Sequence, residues 1–452
     1  MNARSWLPAS VAALIFVAAC AVEDLNADVL SGPPSAATPA GAGVEAKGST
    51  GLPCDVSALL ERRCQTCHAA EPRYGASSPL VTWDDLQRSG PGAYAGRKVL
   101  DVLRERIGDD ARPMPPSPRP RLEDDERATL EGWIAAGAPR SDARCEAAPR
   151  PTGVAPLSCK PDTVLQARSA FTMRPGTPTD SYVCFGVDVT LAKKRHVVGL
   201  APKVDNPAIV HHILLFQTDR AESPEPFPCQ AFGSAAWKLV AGWAPGGSNL
   251  ELPKEAGFPA EAGTTHWVLQ IHYNNATAKT GTDRSGYELC TTEELREHDA
   301  GVLAFGSINF AIPPRATHTI ACDYALGRDF EGVRLFNASP HMHQLGAAMS
   351  TERLPGGSGP PQKIFDQPSF SFEAQANHPI ASALAPGDVV RTRCTWKNPT
   401  GAIVGFGEGT GDEMCFNFVG YYPKIPDRTI LGVPLFTWVT PSASAACAVE
   451  QR

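Results

Sequence analysis

The chain has little charge imbalance and few aromatics, and past its first twenty residues it has no apolar run long enough to cross a bilayer. Its formal net charge is −7 at pH 7 over 452 residues. That balance is mild and negative, so it points to no basic patch and gives no reason to expect nucleic acid as a partner. Aromatic residues make up 8%, against 40 glycines and 42 prolines. This composition disfavours a helical bundle and favours short strands joined by turns and linkers. A hydrophobic content of 42% and a charged content of 20% are ordinary for globular protein. The length leaves room for several domains, each with its own core. Without a spanning segment, only a lipid would hold the chain to a membrane.

What is present begins with an export signal. Arg4 precedes an apolar stretch over residues 6–19, which ends Val17-Ala18-Ala19-Cys20. The stretch is short for a membrane span, and small residues before a lone cysteine resemble a bacterial lipoprotein signal. The expectation is a signal peptide over 1–19, a lipidated Cys20, and a periplasmic or cell-surface lipoprotein of a bacterial membrane. The plainer alternative is an ordinary cleaved signal with Cys20 incidental. Residues 20–50 are rich in Ala, Gly, Pro and Ser and read as a flexible linker. The chain has 13 cysteines. Setting aside Cys20, Cys64 and Cys67 leaves an even number, which an oxidising compartment would pair. The count leaves connectivity open.

Within an expected domain over 51–145, residues 51–138 read as helical, and residues 139–157, with several Pro and Ala, read as a linker. Val56, Leu59 and Leu60 lead into Cys64-Gln65-Thr66-Cys67-His68. Val99, Leu100, Val102, Leu103 and Ile107 recur at helical spacing, and residues 122–136 form a last amphipathic pattern ended by Gly137 and Pro139. A C-x-x-C-H segment attaches haem c through two thioethers, and the adjacent His68 becomes an axial ligand. Alone the motif also suits zinc or a redox thiol pair; the export signal and helical context favour haem. Met114, set among prolines in RPMPP, is the candidate sixth ligand, with a loop or core methionine as the plainer reading. The segment resembles small cytochromes c, down to its closing LEGWIAAGAP. Cys54 and Cys145 bracket it and are a candidate disulfide.

Beyond about residue 155 the pattern changes. The runs YVCFGVDV, IVHHILLF, WVLQIHYN, VLAFGSINFAI, VRLFNAS, DVVRTRCTW and MCFNFVGYY are separated by Gly, Pro, Asn and Asp. They predict antiparallel sandwiches, one over 155–300 and one over 301–452. Six residues here form a candidate metal inventory: His211, His212, His272, His341, His343 and Met414. Imidazole suits copper, zinc, iron or nickel, whereas a thioether points to Cu(I). Neighbours in a regular strand face opposite sides, so His211 and His212 share an ion only at a twist, bulge or strand end. His341 and His343 share a face in extended chain. Each of these alone is more simply read as packed core or surface.

The order HHILLF, LQIHY, HMHQLG and DEMC resembles the copper type II ascorbate-dependent monooxygenases, the peptidylglycine α-hydroxylating and dopamine β-hydroxylating type. That resemblance implies two jelly-roll-like sandwiches, so the fold expected is multidomain: a small all-α cytochrome c domain followed by two all-β antiparallel sandwiches. It implies two copper ions beside the one covalently attached haem c. His211, His212 and His272 would hold an electron-transfer copper. His341, His343 and Met414 would form the catalytic set, where dioxygen binds. Gln270 matches a family position near the first copper. The resemblance also implies disulfides Cys394–Cys415, Cys184–Cys229 and Cys322–Cys447, leaving Cys159 with Cys290. One family disulfide is missing, since Gln217 and Thr218 follow HHILLF. Peptide-amidating members carry an Arg where this chain has Ser339, and an Asn and Tyr after Met-Cys where it has Phe416, Asn417 and Phe418. MCFNFVGYYP looks more like the dopamine-hydroxylating branch.

The reaction so implied inserts one atom of O2 into an activated C–H bond of a small organic substrate. Electrons would come through the fused haem, with ascorbate or an electron-donor protein as reductant. The rival expectation is a non-catalytic exported haem/copper redox or copper-binding lipoprotein. A third reading makes the haem segment a sensor or docking module.

Overall fold

The computed structural model describes residues 49–450 except 111, 117–118, 146–155, 175–179, 230–236, 246, 276–279, 373–374, 408–410, 427–428, 431–432 and 435–445. The signal peptide, Cys20 and nearly all of the expected linker lie outside the described residues.

Four helices come first: α1 (Cys54–Arg63), α2 (Trp83–Gln87), α3 (Val99–Gly108) and α4 (Asp124–Ala135). α1 buries Val56, Leu59 and Leu60, and α3 buries Val99, Leu100, Leu103 and Ile107, at the spacing that puts them on one face. They meet Leu130 and Trp133 of α4 in one core with Leu52, Leu80 and Leu86. Each fully buried leucine contributes about 2 kcal/mol. Periodicity does not reveal α2, which is only five residues long. It is held instead by a capping box, in which Thr82 and Asp85 each accept from the other's backbone N–H.

The rest is β-structure in two sandwiches. In the first, a sheet ordered Phe227–Pro228, Asp180–Leu191, Gly263–Asn274, Val210–Thr218, Lys238–Trp243 faces one built on Thr163–Gln166, Gly286–Thr292, Arg195–Lys203, Ala256–Ala260 and His298–Asp299. In the second, Gly301–Gly306, Phe416–Tyr422, Arg334–His341 and His378–Ala383 face Gln362–Gln367, Gly346–Leu354, Val389–Asn398, Ala316–Ala325 and Ala446–Glu450. The run VLAFGSINFAI is not one strand. It breaks after Gly306, where a Cβ would collide with the Cys415 carbonyl. Five disulfides close the described residues: Cys54–Cys145, Cys159–Cys290, Cys184–Cys229, Cys322–Cys447 and Cys394–Cys415. Such pairing belongs to an oxidising, exported environment. Among the described residues no helix is long and apolar enough to cross a membrane.

Strand alternation decides where the histidines go. On Gly263–Asn274, Trp267, Leu269, Ile271 and Tyr273 fill the core of the first sandwich. Val268, Gln270 and His272 therefore share the opposite face. On Phe416–Tyr422, Val419 and Tyr421 fill the second core, while Phe416 and Phe418 face out. The two outward faces bury one another: Cys184, Phe216, Trp237 and Val268 cluster with Ala304, Met414, Phe416 and Phe418. Buried on both sides, Val210–Thr218 reads as a nearly continuous apolar run interrupted by two histidines.

Candidate metal centres

The first histidine set is made by a β-bulge. Val210–Thr218 pairs with Gly263–Asn274 so that His212 lies opposite His272 and Val210 opposite Tyr273, with a register shift between. His211 is the extra residue. A bulge sets two residues against one and re-aims the first, so both neighbours reach the His272 side. All three imidazoles are buried. Their ligand nitrogens lie within 4.8 Å of one another. Nitrogens bound at about 2.0 Å to one ion lie within about 4 Å of each other, so a small contraction closes the set on a metal. His211 and His212 aim their Nδ1 atoms together at 3.3 Å. Tyr182 stacks on His272, with centroids 4.3 Å apart and planes 5° from parallel. Burial, and then the neighbouring imidazoles, hold His212 well below the usual imidazole range. It is therefore neutral, the form that binds metal.

The second set differs from an extended H-x-H. Arg334–His341 ends at its first histidine, and His343 stands beyond the last rung. The rings still converge, with centroids 5.3 Å apart and planes at 89°. Glu413 draws the turn in. Its buried carboxylate accepts from the backbone N–H of His343 at 3.0 Å and of Leu345 at 2.6 Å, and from Trp396 Nε1 at 2.9 Å. Burial pushes that carboxyl up to about 7 despite these donors. His341 Nδ1 donates to Gln375 Oε1 at 2.7 Å and His343 Nδ1 donates to the Asp412 carbonyl at 3.0 Å. Each ring thus keeps its Nε2 lone pair for a ligand. Burial, then His343, lowers His341 to about 3. Met414 follows Glu413 directly. His341 pairs with Phe416, and the Glu413 carboxylate that accepts from the His343 N–H also accepts from the Met414 N–H at 3.3 Å. The Met414 side chain is fully buried among Phe416, Phe418 and Trp237. Gln270 is buried too, its amide against Cys229 Sγ.

The two sets are neighbours. Phe372 stacks on His211 at 5.2 Å and meets His343 edge-on at 5.9 Å. A cavity of about 80 Å³ touches His212, His341 and His343 and is walled by Trp243, Leu239 and Phe418. Sequence reasoning did not single out Phe372 or Gln375, because neither sits in a motif. Glu413 was legible only as the residue beside Met414.

Cys64, Cys67, His68 and Met114 line a second cavity of about 1010 Å³. Its other walls include Val99, Leu103 and Ile107 of α3 and, from the second sandwich, Leu345 and Phe372. That volume is large enough for a cofactor. His68 Nδ1 donates to the Ser78 carbonyl at 2.7 Å, which leaves Nε2 for a metal. Burial pushes the Cys64 thiol up to about 12 and raises Cys67 as well. Two thiols, the free Nε2 of His68 and Met114 around one cavity are the donor set that a covalently held haem would need.

A family model for the copper type II ascorbate-dependent monooxygenase N-terminal domain matches residues 168–280, and one for the C-terminal domain matches residues 298–430. Dopamine beta-hydroxylase of Rattus norvegicus is 30% identical over 288 residues, 58% of this chain and 46% of that protein. MOXD1 homolog 1 of Drosophila melanogaster is 27% identical over 276 residues, 52% of this chain and 39% of that one. Peptidyl-glycine alpha-amidating monooxygenase A of Xenopus laevis is 29% identical over 258 residues, 54% and 27% respectively. The chain thus spans less than half the length of these relatives. A solved peptide-N(4)-(N-acetyl-β-D-glucosaminyl) asparagine amidase aligns at 7% identity over 64% of this chain and all of that one, with a TM-score of 0.28, too low to carry an argument. The two domain matches together take in more than half of the chain and contain both histidine sets and Met414, so the chain belongs to the copper type II ascorbate-dependent monooxygenase family, a family of oxygen-incorporating oxidoreductases.

Proposed function

We propose that the chain is an exported copper-dependent monooxygenase that hydroxylates an activated C–H bond of a small organic substrate, with electrons supplied through a c-type haem on its helical unit. One observation carries the reading: two buried histidine sets lie either side of Phe372, and a single cavity touches both. His211, His212 and His272 hold the electron-transfer copper, and His341, His343 and Met414 the oxygen-binding one. The reaction consumes O2, two electrons and two protons, and yields the hydroxylated substrate and water.

Copper held at these sets would supply one-electron redox change, and the Met414 thioether would be the soft ligand that favours the reduced ion. The chain's own residues supply the rest. Gln375 and the Asp412 carbonyl fix the tautomers of His341 and His343. Trp243, Leu239 and Phe418 give the cavity apolar walls. Asn337, Ser339 and Asn377, also in its lining, form a hydrogen-bonded group in which Ser339 Oγ donates to Asn377 Oδ1 at 2.5 Å. They offer a substrate neutral hydrogen-bonding partners. Ser339 stands where an amidating enzyme has its carboxylate-binding Arg, so a peptide carboxylate loses that anchor.

The helical unit, 51–145, is read as a cytochrome c domain with haem on Cys64 and Cys67 and ligands His68 and Met114. The sandwiches 155–300 and 301–452 are the two oxygenase domains, and a lipid on Cys20 beyond a 1–19 signal anchors the whole. The test is metal analysis of exported protein followed by oxygen uptake with candidate substrates, using ascorbate or a pre-reduced haem as donor. Two coppers, one haem iron and substrate-dependent uptake are expected. Full metal loading with no substrate-dependent uptake across the panel would return the chain to a non-catalytic redox or copper-binding role.

A further inference from the structure

The helical unit meets the sandwiches at the place where the histidines are. The loop after the C-x-x-C-H segment is tied back to it, with Arg73 N–H donating to the Cys67 carbonyl at 2.8 Å and Leu80 N–H to the His68 carbonyl at 3.0 Å. From that loop the Tyr74 N–H donates to the Pro207 carbonyl at 2.7 Å, just ahead of the bulge at His211. The Tyr74 ring lies edge-on to Trp243, with centroids 6.0 Å apart. Gly75 follows with φ +78°. A Cβ there would stand 3.5 Å from His211 Cδ2, so this loop reaches the edge of the imidazole. On the other side, Phe372 lines the large cavity that holds Cys64, Cys67 and His68. The same ring stacks on His211 and touches His343.

We propose that Gly75 and Phe372 are positioning residues that make a built-in electron route from the haem cavity into the three-histidine set, entering at His211. The inference rests on the haem and copper assignments above and adds the path between them. In the step, one electron leaves a ferrous haem, which becomes ferric, and reduces one cupric ion at the three-histidine set to cuprous. No proton or ligand moves. The haem is refilled by an external one-electron donor. A loop locked to the haem-binding segment and a buried ring in contact with the acceptor's ligand replace a chance encounter by fixed proximity. Phe372 has no charge and no lone pair for a metal; its role is to fill, with a packed ring, the space between cavity and imidazole.

The test is photoreduction of the haem in anaerobic, copper-loaded, full-length protein, followed at its visible absorption band and by the Cu(II) paramagnetic signal. The ferrous band is expected to decay at a rate independent of protein concentration, as the Cu(II) signal falls by an equal amount. Phe372→Leu is expected to slow the decay severalfold with covalent haem content and haem potential unchanged, and Phe372→Tyr, which keeps the ring, to restore it. Gly75→Ala, strained at positive φ and so shifting the loop that reaches His211, should slow it too. A decay proportional to protein concentration would overturn the proposal, as would Phe372→Leu and Gly75→Ala both running at the parent rate. Absence of covalent haem in the parent protein is a separate result: it would remove the haem assignment itself, and the route with it.

Discussion

Gln375→Leu removes the acceptor for His341 Nδ1, together with a donor to the Phe372 carbonyl, at nearly the same volume, and so probes the second histidine set directly. In the parent, His341 Nδ1 donates to Gln375 Oε1 at 2.7 Å, while the Gln375 amide donates to the Phe372 carbonyl at 3.1 Å. Burial and the nearby His343 keep His341 neutral, so it carries a single proton and a single lone pair. With leucine in place, that N–H loses its partner in a buried setting, at a cost of about 1–3 kcal/mol. The ring can avoid the cost by shifting its proton to Nε2 or by turning, and either change removes the lone pair from the metal side. Loss of the group that orients a ligating imidazole lowers metal affinity by about 10–100-fold, or roughly 1.4–2.8 kcal/mol. The assay is competition of the reduced, anaerobic protein with a Cu(I) chelator, resolving the two ions. The second copper should weaken by that factor while the three-histidine copper keeps its affinity. Gln375→Glu retains an acceptor at the same position and should restore most of it. Equal affinity of both coppers in Gln375→Leu and parent would refute the orienting role, and a parallel loss at both sites would show general damage instead.

Other expectations follow from single contacts. His272→Ala should leave one copper per chain, with the sulfur signature of Met414 still present in X-ray absorption. Replacing Cys64 and Cys67 together by serine should give haem that acid–solvent extraction removes, whereas the parent retains it; equal extraction from both would end the thioether assignment. Asp388 is buried, and Arg353 Nε, Ala385 N–H and Gly356 N–H donate to it at 2.5, 2.8 and 3.1 Å. Burial pushes its carboxyl up, but Arg353 and the two backbone donors outweigh that and hold it below the usual range. A depressed carboxyl stabilises the fold above its unfolded pKa, about 4, and loses that contribution as pH falls through the folded value. Asp388→Asn should therefore cost about 1–3 kcal/mol in urea unfolding at pH 7 and much less near pH 3. A gap that stays constant with pH would contradict the assignment. Leu269→Ala, at a fully buried position in the first core, should cost about 2–5 kcal/mol by chemical unfolding.

The motifs were legible because their chemistry is local. C-x-x-C-H, H-x-H and Met-Cys each declare a donor type within a few residues, and alternation in WVLQIHYN already sets His272 on the face opposite Trp267 and Leu269. The helical spacing in 99–107 likewise appears as α3. The short α2 carries no period to detect, and VLAFGSINFAI looks continuous until Cys415 is seen pressing on Gly306. The H-x-H reads as extended chain, yet its second histidine sits in a turn held by Glu413, some 70 residues away in the chain.

By itself the sequence determined which ligand atoms the chain possesses, that most of its cysteines would pair, and that a helical unit precedes β-structure, since all of these depend on residue type and short-range order. Only the tertiary structure decided that His211 is the bulged residue, that the outward faces of two sheets cover one another, and that Phe372 stands between two imidazole sets and a large cavity. Those outcomes come from strand register and from packing between segments far apart in the chain, and no local run of residues encodes where its distant partner will lie.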